Sequence, residues 1–99
     1  MAKKIKQSKL FAKKVTNLLE YLEMNWSKKV ADEFKKILDE KMLRLIDKPK
    51  SGINSTKVSE VRWILITKHN KLFYRIKGEI IYIITLFDTR QNPKKNRYE

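Results

Sequence analysis

The chain has no cysteine, which removes disulfides and thiolate metal sites and fits a reducing compartment. One histidine without cysteine is a poor ligand set, so neither a metal nor an organic cofactor is expected. Only two glycines and two prolines occur in 99 residues, which argues against long structureless loops. No apolar run is long enough to span a bilayer. Met1-Ala2-Lys3-Lys4-Ile5-Lys6 is basic but lacks the apolar stretch of a signal peptide, so a cytoplasmic protein with no membrane partner is expected. Acidic residues are scarce: 11 against 24 lysines and arginines, a formal charge of +13.

That charge favours polyanionic partners such as nucleic acid or an acidic protein, without choosing between them. The hydrophobic fraction, 41%, is ordinary for a globular chain, and the length points to one domain over residues 1–99.

Residues 4 to 7 suit a short edge strand guarded by lysines. Ser8 is the expected N-cap of a helix whose Phe11, Val15, Leu18, Leu19 and Leu22 form one apolar stripe. Its other face carries Lys9, Lys13, Lys14, Asn17 and Glu20, a patch able to meet phosphates. Asn25-Trp26-Ser27 breaks that helix, and Ser27 caps a second. Val30, Phe34, Ile37, Leu38, Met42, Leu45 and Ile46 carry its stripe to about residue 46. So short a connection predicts an antiparallel hairpin with Trp26 packed at its corner. Pro49 ends the second helix, Pro49-Lys50-Ser51-Gly52 is turn chemistry, and residues 53 to 60 read as a surface loop.

From Val61 the pattern changes to β-branched and aromatic runs. Residues 61–67, 72–77 and 80–87 read as strands. Lys68-His69-Asn70-Lys71 and Lys77-Gly78-Glu79 are the hairpin turns, with Gly78 at positive φ. Ile80-Ile81-Tyr82-Ile83-Ile84 is apolar on both faces and belongs inside a sheet. The chain ends in a basic tail, expected to be mobile from about residue 96 to 99. The element order makes an α+β domain: a short N-terminal strand, a helix hairpin, then an antiparallel three-strand meander packed on the helices. One sheet face is left partly open, with bulky and cationic groups that call for a partner.

Several segments now stand in a telling order: Leu18-Leu19-Glu20-Tyr21-Leu22, Trp26, Ala31 with Phe34, Pro49 and Gly52, Val61-Arg62, Tyr74-Arg75-Ile76, and Leu86-Phe87-Asp88-Thr89-Arg90-Gln91-Asn92-Pro93. From Ser8 to Lys95 the chain resembles the RelE/ParE toxins, above all the ParE-like branch. The resemblance implies the same α+β fold and the toxin role in a type II toxin–antitoxin module, the kind used in plasmid stabilisation. A smaller antitoxin wraps and neutralises such a toxin, and operator DNA is reached only through the antitoxin. ParE-like members inhibit DNA gyrase; RelE-like members enter the ribosomal A site and cut mRNA. The favoured expectation is growth arrest by binding gyrase or a similar replication target. A ribosome-dependent mRNA endonuclease is the alternative, and a non-toxic member that acts only in an antitoxin complex is the third.

Cleavage of RNA by its own 2′-hydroxyl needs cations on the phosphate and an acid or base near neutral pKa. The nuclease candidates are Arg62, His69, Arg90 and Tyr98, with Lys57, Lys68, Lys71 and Arg75 in the wider cationic pool. His69 reads as an exposed turn residue, with no carboxylate placed beside it by the sequence. The histidine of some family nucleases lies near the end of the last strand, not here. The arginine that RelE-like nucleases carry before the hairpin falls near Ile66 in this chain, and Arg90 and Tyr98 stand at shifted spacing. This incomplete set leans against an enzyme. Arg62 matches an arginine shared by both branches, a fork suited to neighbouring carbonyls or carboxylates. Trp63, Lys71, Tyr74, Arg75, Arg90, Lys94 and Lys95 are the candidates for antitoxin or target binding, with Tyr74 and Arg75 expected on the open sheet face. No groove-reading element accompanies the lysines, so sequence-specific DNA reading is not expected.

Overall fold

The structure, a computed structural model, describes residues 4–90. Two serines set the helices. Ser8 opens α1 (Lys9–Asn25) and Ser27 opens α2 (Lys28–Asp47), each in extended backbone. Their hydroxyl oxygens accept from the N–H of Phe11 at 2.9 Å and of Val30 at 3.1 Å, satisfying one orphan donor each. Ser8 does more: its hydroxyl donates to the Ile84 carbonyl and its N–H to the Ile83 carbonyl at 3.0 Å. Replacing Ser27 with alanine is expected to cost about 1 kcal/mol in urea denaturation. Ser8→Ala should cost more, because the Ile84 bond goes with the cap; equal penalties would show that bond to contribute nothing.

The remaining elements are β1 (Lys4–Gln7), a 3-10 turn (Pro49–Ser51), β2 (Ile53–Asn54), β3 (Val61–Thr67), β4 (Asn70–Lys77) and β5 (Ile80–Asp88). They make a five-stranded sheet in the order β1-β5-β4-β3-β2. β1 runs parallel to β5, and the other pairs are antiparallel. The doubly apolar β5 therefore lies inside the sheet, as its sequence requires. Gly78 holds φ +60 in the β4–β5 turn.

Both helices pack on one sheet face. Phe11, Phe34, Leu38, Met42 and Leu45 meet Ile66, Leu72, Tyr74, Ile81, Ile83 and Leu86 in the core, rimmed by Val15, Leu18, Leu19 and Leu22. The two-residue period sends Trp63 and Leu65 of β3, Lys71, Phe73 and Arg75 of β4, and Tyr82 of β5 to the other face. That face is not bare: Phe73 and Val61 are buried although they lie outside the helix-side core.

Four expectations change. Trp26 does not pack at the hairpin corner; it is 71% exposed, because a one-turn connection leaves nothing above it to cover an indole. Ile37 is exposed rather than part of the buried stripe. The segment after Gly52 is not all loop, since Ile53 and Asn54 pair with Trp63 and Arg62. β4 begins at Asn70, two residues earlier than its apolar run, because Thr67 pairs with Asn70 and shortens the turn to Lys68-His69. The expected tail of residues 96–99 lies outside the described residues. Among the described residues no helix is long and apolar enough to cross a membrane.

Candidate functional site

The site is built around a clamp at the end of α2. The Tyr74 hydroxyl donates to the Pro49 carbonyl at 2.7 Å and accepts from the Gly52 N–H at 2.9 Å. Arg62 donates through Nη1 to the carbonyls of Lys50 at 3.2 Å and Gly52 at 3.0 Å. Two side chains on neighbouring strands thus hold the backbone of Pro49, Lys50 and Gly52. Burial pushes the Tyr74 pKa up; the Gly52 N–H and the Arg62 charge pull the other way without winning. The hydroxyl therefore stays protonated at neutral pH, as its bond to Pro49 requires. Tyr74 does not line the open sheet face: it is fully buried on the helix side, since adjacent strand residues point to opposite faces. Its neighbour Arg75 is exposed on the open face.

Beside the clamp runs a groove of about 730 Å³. One wall is α2, where Lys41, Arg44, Leu45 and Lys48 share a side at helical spacing. The other is the outer margin of β3 with Trp63, Ile64 and Leu65, and Ser51 and Ile53 close one end. Ile53 and Leu65 are 58% and 43% exposed, so the groove is apolar at its margin and cationic along its helix wall. Across the strand, Lys71 Nζ lies 4.0 Å from the Trp63 ring centroid, a cation–π contact. The Trp63 indole N–H is buried and has no acceptor among the described residues.

A sequence model of the ParE toxin of type II toxin–antitoxin systems (parDE) matches residues 5–93. The chain belongs to the ParE toxin family. Solved structures share its fold. A chain from the chromosomal ParDE toxin–antitoxin system of P. aeruginosa aligns with a TM-score of 0.76 at 15% identity, over 91% of this chain and 98% of that one. The isolated E. coli RelE toxin aligns with a TM-score of 0.60 at 13% identity, over 94% and 90% of the two chains. No curated protein matches the sequence.

The other candidates of this ParE-family chain lie apart from the groove. His69 is half-buried in the β3–β4 turn, where its carbonyl accepts from the Thr89 N–H at 2.8 Å. A carboxylate does stand near it: Asn70 pairs with Asp88 across the sheet, and the His69 charge acts on Asp88. Asp88 is engaged elsewhere, accepting from Arg90 Nε at 3.0 Å, Nη2 at 2.8 Å and the Arg90 N–H at 2.9 Å. The Arg90 fork that a phosphate would need is thereby occupied. Lys94, Lys95 and Tyr98 lie outside the described residues. Among the described residues no group of three acidic, histidine or cysteine side chains could hold a metal ion.

The Arg90 hydrogen bonds hold the Asp88 pKa below the ordinary carboxylate value. A depressed folded pKa adds stability above the unfolded value, and that increment disappears as pH falls through the folded one. Wild type and Asp88→Asn should therefore differ in Tm above the ordinary carboxylate value of about pH 4 and converge progressively as the pH falls below it. The difference should be small, because Asp88 and Arg90 are solvated. A gap that persists unchanged in acid would mean the pair is not its source.

Sequence reasoning missed Lys41, Arg44 and Lys48 as site residues. Their spacing was a usable signal, but the β3 margin that gives it meaning comes from pairing across the chain. It also took Lys14 for part of a solvated patch. Lys14 instead donates to Thr85 Oγ at 2.9 Å and to the Leu86 carbonyl at 3.1 Å, and burial lowers its pKa.

Proposed function

We propose that this chain arrests growth by binding, with DNA gyrase or a similar replication protein as its target, and that a cognate antitoxin neutralises it in the cytoplasm. The observation that carries this reading is where the cations stand. Lys41, Arg44 and Lys48 border an apolar groove, and Arg75 shares a face with Trp63. Cations beside uncovered apolar groups suit an acidic amphipathic protein better than a reacting phosphate. The antitoxin occupies the groove and the open sheet face, and operator DNA is reached through it alone.

Pulse labelling of DNA and protein synthesis after induction of this chain tests the reading. DNA synthesis is expected to fall first. If protein synthesis falls first, the mRNA endonuclease reading takes over. One observation favours that second reading: His69, Asp88 and Arg90 gather at one end of the sheet. Soluble protein that slows neither, yet binds its antitoxin, would mark a non-toxic member.

A further inference from the structure

We infer that the outer face of α1 is a self-association surface, on which a second copy of this chain seats its own α1 in antiparallel orientation about a twofold axis at Asn17. This surface lies apart from the groove and does not depend on what the groove binds.

The helix carries a second stripe that the core does not use. Phe11, Val15, Leu18, Leu19 and Leu22 pack into or against the core. Away from them, Leu10, Lys14, Asn17, Tyr21 and Met24 recur at steps of four, three, four and three, the spacing of a coiled-coil seam. Leu10, Tyr21 and Met24 are exposed, so bulky apolar groups stand uncovered along about 21 Å of helix. Lys14 interrupts the seam, but its ammonium is turned to β5, where Thr85 Oγ and the Leu86 carbonyl accept from it.

Charge selects the occupant. The flank beside the seam is basic in its first half, with Lys9 and Lys13, and acidic in its second, with Glu20 and Glu23. A polyanion or an acidic helix laid along it would meet favourable charge at one end only. A second α1 running the other way meets complementary charge at both ends. A twofold contact sets the same patch against itself. Leu10 stands seven residues before Asn17 and Met24 seven after it, so each copy's Leu10 meets Met24 of the other. Lys13 and Glu20 share a flank on either side of the axis, so Lys13 of each copy meets Glu20 of the other. Among the described residues neither has an ion-pair partner, and about 10 Å of helix keeps them from each other. Asn17, whose amide both donates and accepts, can pair with its own copy on the axis, and a polar residue in such a seam fixes the register.

The formal +13 opposes self-association at long range. At physiological salt, charges more than about 8 Å apart are largely screened, whereas partly buried pairs are screened much less. One helix face is a small interface, so the dimer is weak and forms at high concentration.

Sedimentation equilibrium of the full chain from about 5 to 500 µM, near physiological salt, tests this. A reversible monomer–dimer equilibrium is expected. Tyr21→Ala with Met24→Ala should raise the dissociation constant by about tenfold or more, since both side chains are exposed and their loss spares the fold. Lys13→Glu and Glu20→Lys should each weaken the dimer by about fivefold, because like charges then face each other across the seam. The double variant Lys13→Glu with Glu20→Lys should return to the wild-type constant, because the pairs re-form with their signs exchanged. A double variant no tighter than the single ones would overturn the antiparallel register. A chain monomeric throughout the range, or a dimer indifferent to these substitutions, would overturn the inference. So would a monomer whose Tyr21 and Met24 are covered only when the antitoxin is added, which would give the stripe to that partner.

Discussion

Gly52→Ala is expected to destabilise the fold by about 3 kcal/mol, although the backbone at that position would accept any residue. Gly52 has φ −73 and ψ 159, ordinary extended values, so the penalty is steric rather than conformational. An added Cβ would press on the Tyr74 hydroxyl and sit 2.8 Å and 2.9 Å from the ring's Cε1 and Cζ. Tyr74 has no exposed surface, so its ring cannot step aside. Tyr74→Phe attacks the same clamp differently, leaving the Pro49 carbonyl and the Gly52 N–H without their partner at about 1–3 kcal/mol each. The two changes together should cost less than their sum, because the hydroxyl that the new methyl meets is gone while the ring carbons remain. Urea denaturation of the four proteins in this cycle checks it. A Gly52→Ala penalty below about 1 kcal/mol would show that the turn moves freely and that the clamp does not fix the groove.

The parts of this fold legible in the sequence are those decided within a few residues. Ser8 and Ser27 cap helices through bonds three residues long, and the apolar stripes follow the helical repeat, so both helices were plain. The interior place of β5 is legible because Ile81 and Ile83 face the core while Ile80, Tyr82 and Ile84 beside them are apolar too. What failed was non-local or too short to show a period. β2 is two residues long and exists because β3 offers it a partner. Asp88 reaches the neighbourhood of His69 through strand pairing alone. The order of elements and the resemblance to RelE/ParE toxins agree on the α+β fold, but expecting Tyr74 beside Arg75 on the open sheet face put it on the wrong side. Strict alternation along Leu72, Tyr74 and Ile76 was the better guide, since those three share the helix side with the core.

Reversing one charge on the open sheet face separates capture of the antitoxin from contact with it. Arg75 is exposed, so Arg75→Glu should leave the fold intact while removing two positive units from the formal +13. If the antitoxin lies over this face, its association should slow by about tenfold at low ionic strength, and added salt should shrink the difference. Dissociation should also quicken, because a glutamate now faces an acidic partner at contact distance, where salt screens less. Surface plasmon resonance at two salt concentrations reads both rates. A slower association with unchanged dissociation would make Arg75 part of the steering field only and move the antitoxin off the sheet face. If neither rate changed, the placement on the sheet face would fail and the groove beside α2 would be left as the antitoxin's seat. The two surfaces adjoin at Trp63, which lines the groove and lies beneath Lys71, so a partner on both would feel Arg75→Glu and charge reversals at Lys41, Arg44 and Lys48 as coupled rather than additive losses.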